Sequence, residues 1–210
     1  MMFADLPPPD PSVQVEVAST GISKGLAQTD GPQLVARAGL GFGDFSLEAS
    51  GKNIETTSGD DGVETQLSIG AATKASGFDL SLRAGVKTVS AVAGQVDRHA
   101  LEFKGDAARK LGPLRATLGF VYSPDDTGST RSALFVESGL AWGVRKGVRL
   151  GARLGRRQRV DAPDYTAYNV GVTYDLIPEL AADLRLYDTD SSDLGRPYRR
   201  RLVASVRARF

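Results

Sequence analysis

The chemically capable residues of this chain are mostly charged and recur at every second position of strand-like runs. Gly21-Ile22-Ser23-Lys24-Gly25 does spell G-x-S-x-G, the pattern that presents a serine nucleophile on a strand-to-helix turn. That chemistry needs a histidine base, and no helical pattern follows the motif. His99 is the only histidine. It shares the parity of Leu101 and Phe103, on the apolar side of its strand. Gly39, Gly41 and Gly43 form G-x-G-x-G, again with no helix behind it to cradle a phosphate. Cysteine is absent, which removes disulfides and thiolate metal sites. Asp60-Asp61, Asp125-Asp126 and the DTDSSD run from Asp188 are turn formers, with oxygen ligands that suit divalent cations but no EF-hand spacing. The expectation is a non-enzyme with no catalytic residue, no metal site and no cofactor.

The remaining charges can line a water path. The candidates for that role are Arg37, Glu48, Glu64, Arg83, Glu102, Lys104, Arg115, Glu137, Arg149, Arg153, Asp183, Arg185 and Arg207. Each alternates with apolar neighbours, as two faces of a strand require. Val13, Val15 and Val17 open the pattern, on a strand read as continuing towards Lys24. Leu34 to Phe42 and Phe45 to Ala49 follow, joined by Gly43-Asp44. The same paired unit recurs around KASG, KLGP, RKG and LIPE. The last strand carries Leu202, Ala204, Val206, Ala208 and Phe210 on one face. An apolar face ending in a terminal aromatic is the pattern read by outer-membrane assembly machinery, so these five are the expected assembly signal.

The count is twelve strands, with short and long connections in strict alternation. This predicts an all-β fold: a transmembrane up-and-down antiparallel barrel of 12 strands over 12–210, N- and C-termini periplasmic. Residues 1–11 form an extended Pro-rich lead-in that is not expected to join the ladder centrally. No apolar run is long enough for a transmembrane helix, so a membrane span must be β. The first residues hold no apolar core of the signal-peptide kind, so an exported chain is expected here in mature form with an added methionine. Aromatics sort by strand end. Phe42, Phe45, Phe78, Trp142, Tyr174 and Phe210 lie near the short turns; Phe120, Tyr122 and Tyr168 lie near the long loops. Two belts are what the two interfaces of a bilayer select.

Lys24 to Gly31, KGLAQTDG, resembles the RGISQTDG signature near the first hairpin of the TorF-type porin family of proteobacterial outer membranes. LYDTD, Leu186 to Asp190, is a weaker echo near the end. Lys24 replaces the usual arginine, Ala27 a serine, and Gly21 stands where an aromatic is common. The resemblance covers about the first quarter of the chain. It implies an outer-membrane barrel that conducts small solutes and has no catalytic residues.

Basic and acidic residues nearly cancel, and the cations are spread over strands rather than grouped with aromatics, which argues against nucleic acid. Arg149, Arg153, Arg185, Arg201, Arg207 and Arg209 fall on the last four strands against Asp175 and Asp183 alone. A basic wall facing an acid-rich one is therefore expected across the lumen. The function expected is an outer-membrane porin-like channel for small hydrophilic solutes with a mild anion preference. The alternative is a non-conducting structural or adhesive barrel with a salt-bridged lumen. Expected partners are outer-membrane lipid, lipopolysaccharide, the barrel-assembly machinery and small solutes.

Overall fold

The computed structural model describes residues 7–55, 61–90, 98–127 and 130–210. The start of the lead-in, Asp60 and most of the loop before His99 lie outside the described residues.

Fourteen strands follow in chain order among the described residues. They are β1 (Asp10–Ala18), β2 (Ile22–Ser23), β3 (Leu26–Ala27), β4 (Gln33–Phe42), β5 (Phe45–Glu55), β6 (Asp61–Ala75) and β7 (Phe78–Val89), then β8 (His99–Leu111), β9 (Leu114–Ser123), β10 (Ala133–Arg145), β11 (Val148–Arg159), β12 (Tyr165–Ile177), β13 (Leu180–Thr189) and β14 (Arg201–Arg209). Twelve of them close into one antiparallel barrel, each beside its sequence neighbour, and β2–β3 form a separate small hairpin. Short connections are two-residue turns. Ser76-Gly77, between Ala75 and its partner Phe78, has φ of 51° and 77° at its two positions, the left-handed pair that matches strand twist.

Closure falls between β1 and β14, where Val15 faces Ala208 and Val17 faces Val206. Val13 and Phe210 exchange both backbone hydrogen bonds, at 3.0 and 2.9 Å. Odd residues of β1 therefore aim their N–H groups at β14. Pro11 is odd, and its nitrogen points past the end of that strand. This is why β1 starts at Asp10 and takes in Pro11, opposite Leu40 of β4, earlier than the lead-in boundary set from composition.

Alternation sorts the side chains. Ile69 (65% exposed), Leu82, Leu118, Leu140, Leu154 and Leu184 face outward, as do both aromatic groups. The inward face carries the charges and, near the long loops, a buried apolar group: Val35, Ile54, Val89, Phe135 and Tyr165. The chain departs from the sequence reading after Ala18. The first strand does not run on to Lys24; residues 19–32 turn inward and carry the β2–β3 hairpin into the lumen.

The facing predicts a sharp contrast in stability. Leu118→Arg is expected to cost about 2–4 kcal/mol in lipid. Arg83→Gln, on the inner face in a half-exposed pair with Glu48, is expected to cost under about 1 kcal/mol. Urea unfolding in vesicles measures both, and the reverse order would mean the faces are exchanged.

Candidate pore and its constriction

The lumen encloses a cavity of about 1500 Å³. All the residues expected to line a water path border it except Arg115, which lies nearer the short turns and pairs with Asp79 at 3.2 Å. The charges pair mostly between neighbouring strands. Arg149 meets Asp175, Arg153 meets Glu137 at 2.6 Å and Arg207 meets Glu16 at 2.8 Å, while Arg83 of β7 reaches two strands over to Glu48 of β5 at 3.5 Å. Arg185 pairs within its own strand, with Asp183 at 3.1 Å. Arg201 turns to Asp30 of the inward loop at 2.6 Å. The expected field between a basic and an acidic wall is therefore largely cancelled along each wall. Adjacent strands lie about 4.8 Å apart, so a long side chain reaches its register neighbour far more easily than the opposite wall. Arg37 stands apart: its register neighbours are Gln14 and Ser50, and no carboxylate lies within salt-bridge distance of it among the described residues.

The hairpin crosses this space from its root between β1 and β4. Lys24 and Gly25 form its tip, with φ of 50° and 82°. The tip touches two walls. Tyr165 of β12, fully buried, donates its hydroxyl to the Lys24 carbonyl at 2.7 Å. Lys24 Nζ donates to Glu102 of β8 at 2.6 Å. Gly25 lies so close to β12 that a Cβ there would sit 2.1 Å from the Ala167 Cβ. Only glycine fits, by space and by φ.

The segment matched to the QTDG signature holds the root. Gln28 accepts from Lys52 at 2.6 Å, and Thr29 accepts from Gly21 N–H at 2.8 Å. Asp30 pairs with Arg196 and Arg201, and its N–H donates to Glu55. In the LYDTD run, Asp188 pairs with Arg200, and Asp190 accepts from Thr166 N–H. Both motifs pin loops at the same end of the barrel.

Beneath the tip lies a buried ion network. Glu102 is shared by Lys24, by Lys87 at 3.6 Å and by Lys104 at 3.2 Å. Asp126, in the loop after β9, takes Lys87 and Arg157, both at 2.6 Å. Lys52 pairs with Glu64 at 3.0 Å. Burial pulls the Lys24 ammonium below its ordinary range, outweighing the attraction of Glu102. Burial raises Asp126, but Lys24, Lys87 and Arg157 outweigh it and hold its carboxyl below the usual value.

Ser23 of the G-x-S-x-G run sits in the hairpin inside the lumen. His99 lies on the outward side of the wall, where its Nδ1 is 3.0 Å from the Thr88 hydroxyl. The structure does not bring them together. Lys87 is an inward residue by strand parity, whereas Lys24, Asp126, Arg157 and Tyr165 were not singled out as lumen residues from sequence. Their one signal is parity, since Arg157 and Tyr165 share the face of neighbouring inward residues. Leu202, Ala204, Val206, Ala208 and Phe210 lie on the outward face of β14 and its end, with Phe210 77% exposed.

A family model described as Gram-negative porin matches residues 13–194. No curated protein sequence matches the chain. Among solved structures, the KdgM porin aligns with 13% identity over 95% of this chain and 99% of its own, TM-score 0.66. A second KdgM structure, in complex with disordered oligogalacturonate, aligns at 11% identity over 95% and 99%, TM-score 0.67. An outer-membrane channel from Pseudomonas putida F1 aligns at 11% identity over 98% and 96%, TM-score 0.62. Outer-membrane phospholipase A from Escherichia coli aligns more loosely, at 13% identity over 99% and 93%, TM-score 0.51. At such identities these likenesses establish the barrel fold alone.

Two outcomes follow from the tip and the network. Gly25→Ala is expected to unseat the hairpin, raising both protease cleavage within 19–32 and single-channel conductance; adding Ala167→Gly should partly restore each. The second concerns acid. The folded-state value of Asp126 is depressed, so its pairing stabilises fully above the unfolded value near pH 4 and is lost as pH falls through the lower folded value. Thermal unfolding from pH 6 to 3 should fall less steeply in Asp126→Asn than in the parent.

Proposed function

We infer, from the premise that this chain belongs to the Gram-negative porin family, which solutes its lumen favours. The protein is an outer-membrane porin-like channel for small solutes, and we read its preference as mildly anionic. The observation that carries this reading is Arg37, a lumen guanidinium without a carboxylate partner in a wall where the other arginines named above are paired. At about 0.15 M salt the Debye length is about 8 Å, so in a narrow lumen an uncancelled charge is felt by a passing ion. The oligogalacturonate complex of the KdgM porin, a barrel of similar fold, supports the same class of solute.

Within the family, the QTDG segment supports a TorF-type assignment. In this reading both termini are periplasmic, the five apolar residues of the last strand are the assembly signal, and lipid and lipopolysaccharide surround the outer face. The channel reading also leaves the chain without catalytic work. A second reading, a non-conducting salt-bridged barrel, is favoured by the hairpin lying across the lumen.

Planar-bilayer recording tests these. A KCl gradient should give a reversal potential on the anion-selective side, and Arg37→Gln should move it towards cation selectivity. A cation-selective parent would overturn the anion reading. A correctly folded parent with no conductance would support the structural barrel instead.

A further inference from the structure

We propose that the hairpin tip and the wall beneath it form a binding site for an oxyanion, a carboxylate or phosphate group of a solute in the lumen. This deepens the anion reading given above, but the binding itself does not require conduction.

The cluster contains five cations, Lys24, Lys52, Lys87, Lys104 and Arg157, against three carboxylates, Glu64, Glu102 and Asp126. The surplus is two positive charges. Asp106, further along β8 towards the short turns, would lower it by one without removing it. The surplus is not dispersed in water: the side chains of Lys87, Arg157 and Lys24 keep only 8%, 12% and 14% of their exposure. Buried charge is costly unless balanced by the opposite sign, so an unequal cluster favours a mobile counter-ion.

The donors left over define which ion fits. Arg157 gives one N–H to Asp126, and its buried Nε–H donates to no acceptor among the described residues. Lys24 spends one of its three ammonium protons on Glu102 and has no second side-chain acceptor among the described residues. Lys104, 31% exposed, is the most open member. All three border the same cavity, whose volume of about 1500 Å³ admits a sugar acid or a phosphate. A planar guanidinium beside ammonium groups matches the oxygens of a carboxylate or phosphate, whereas a metal cation would meet repulsion.

Isothermal titration of the folded barrel in detergent, with inorganic phosphate and separately with galacturonate, tests the site directly. The parent should bind at least one, and the tighter of the two identifies the oxyanion. Arg157→Gln and Lys104→Gln should each weaken binding by about tenfold, the scale of one charge-assisted contact. Glu102→Gln raises the surplus and should tighten binding. A folding defect would not produce opposite signs, and heat-modifiable mobility on gels verifies the barrel in each variant. Lys104→Gln is the milder variant should Arg157→Gln fail to fold. No binding by the folded parent, or equal loss in the Glu102 and Lys104 variants, would overturn the site. In planar bilayers the bound ion should lower conductance in the parent and not in Lys104→Gln. A conducting parent that ignores both ions would refute the site while leaving the channel reading intact; a parent that binds but does not conduct would do the reverse.

Discussion

The barrel depends on one constraint: every backbone N–H and C=O inside a bilayer must find its partner within the protein. The ladder meets it by closing on itself between β1 and β14, where Val13 and Phe210 complete the ring. Once closed, each strand has a lipid side and a lumen side, and the period of two assigns every residue to one or the other. Leucines at one parity and arginines at the next are not separate facts about this chain. They are the same closure read at neighbouring positions.

The closure also decides how the inner charges interact. Strand spacing puts register and diagonal neighbours within reach, so Arg153 finds Glu137 and Arg207 finds Glu16 before either can sense the far side. The half-exposed pairs are each worth little in stability. Their collective effect is on the potential along the lumen, which they flatten wherever a partner exists. Uncancelled charge thereby remains at Arg37 and in the cluster under the hairpin, which gathers the buried cations towards the long-loop end.

Much of this was legible in the sequence. The strand number, the inner and outer faces, the aromatic belts and the tight turns follow from local spacing, and local spacing is what a strand at a lipid boundary must obey. Two things were not. The hairpin lay inside a run read as a continued first strand, although Ile22 falls at the parity opposite to Val13, Val15 and Val17. What bends it inward is a set of partners far away in the chain: Tyr165 to Lys24 spans 141 residues and Lys24 to Glu102 spans 78. Phe135 and Tyr165 face inward against the expectation that a lumen is polar, since they lie where the hairpin excludes water. The distribution of charge by strand led to a field across the lumen, because a count by strand carries no information on which neighbour each arginine chooses.

The lateral pairs set the grain along which this sequence can vary. Glu137 with Arg153, Glu16 with Arg207 and Glu48 with Arg83 each sum to zero, so exchanging the two signs within a pair leaves the lumen's potential nearly as it was. Changing one member alone does not. Inherited drift at these positions should therefore be correlated within each pair, across one strand boundary for the first two and across two for Glu48 and Arg83, and free of its counterpart across the barrel. Arg37 has no such companion, so selection acts on it singly.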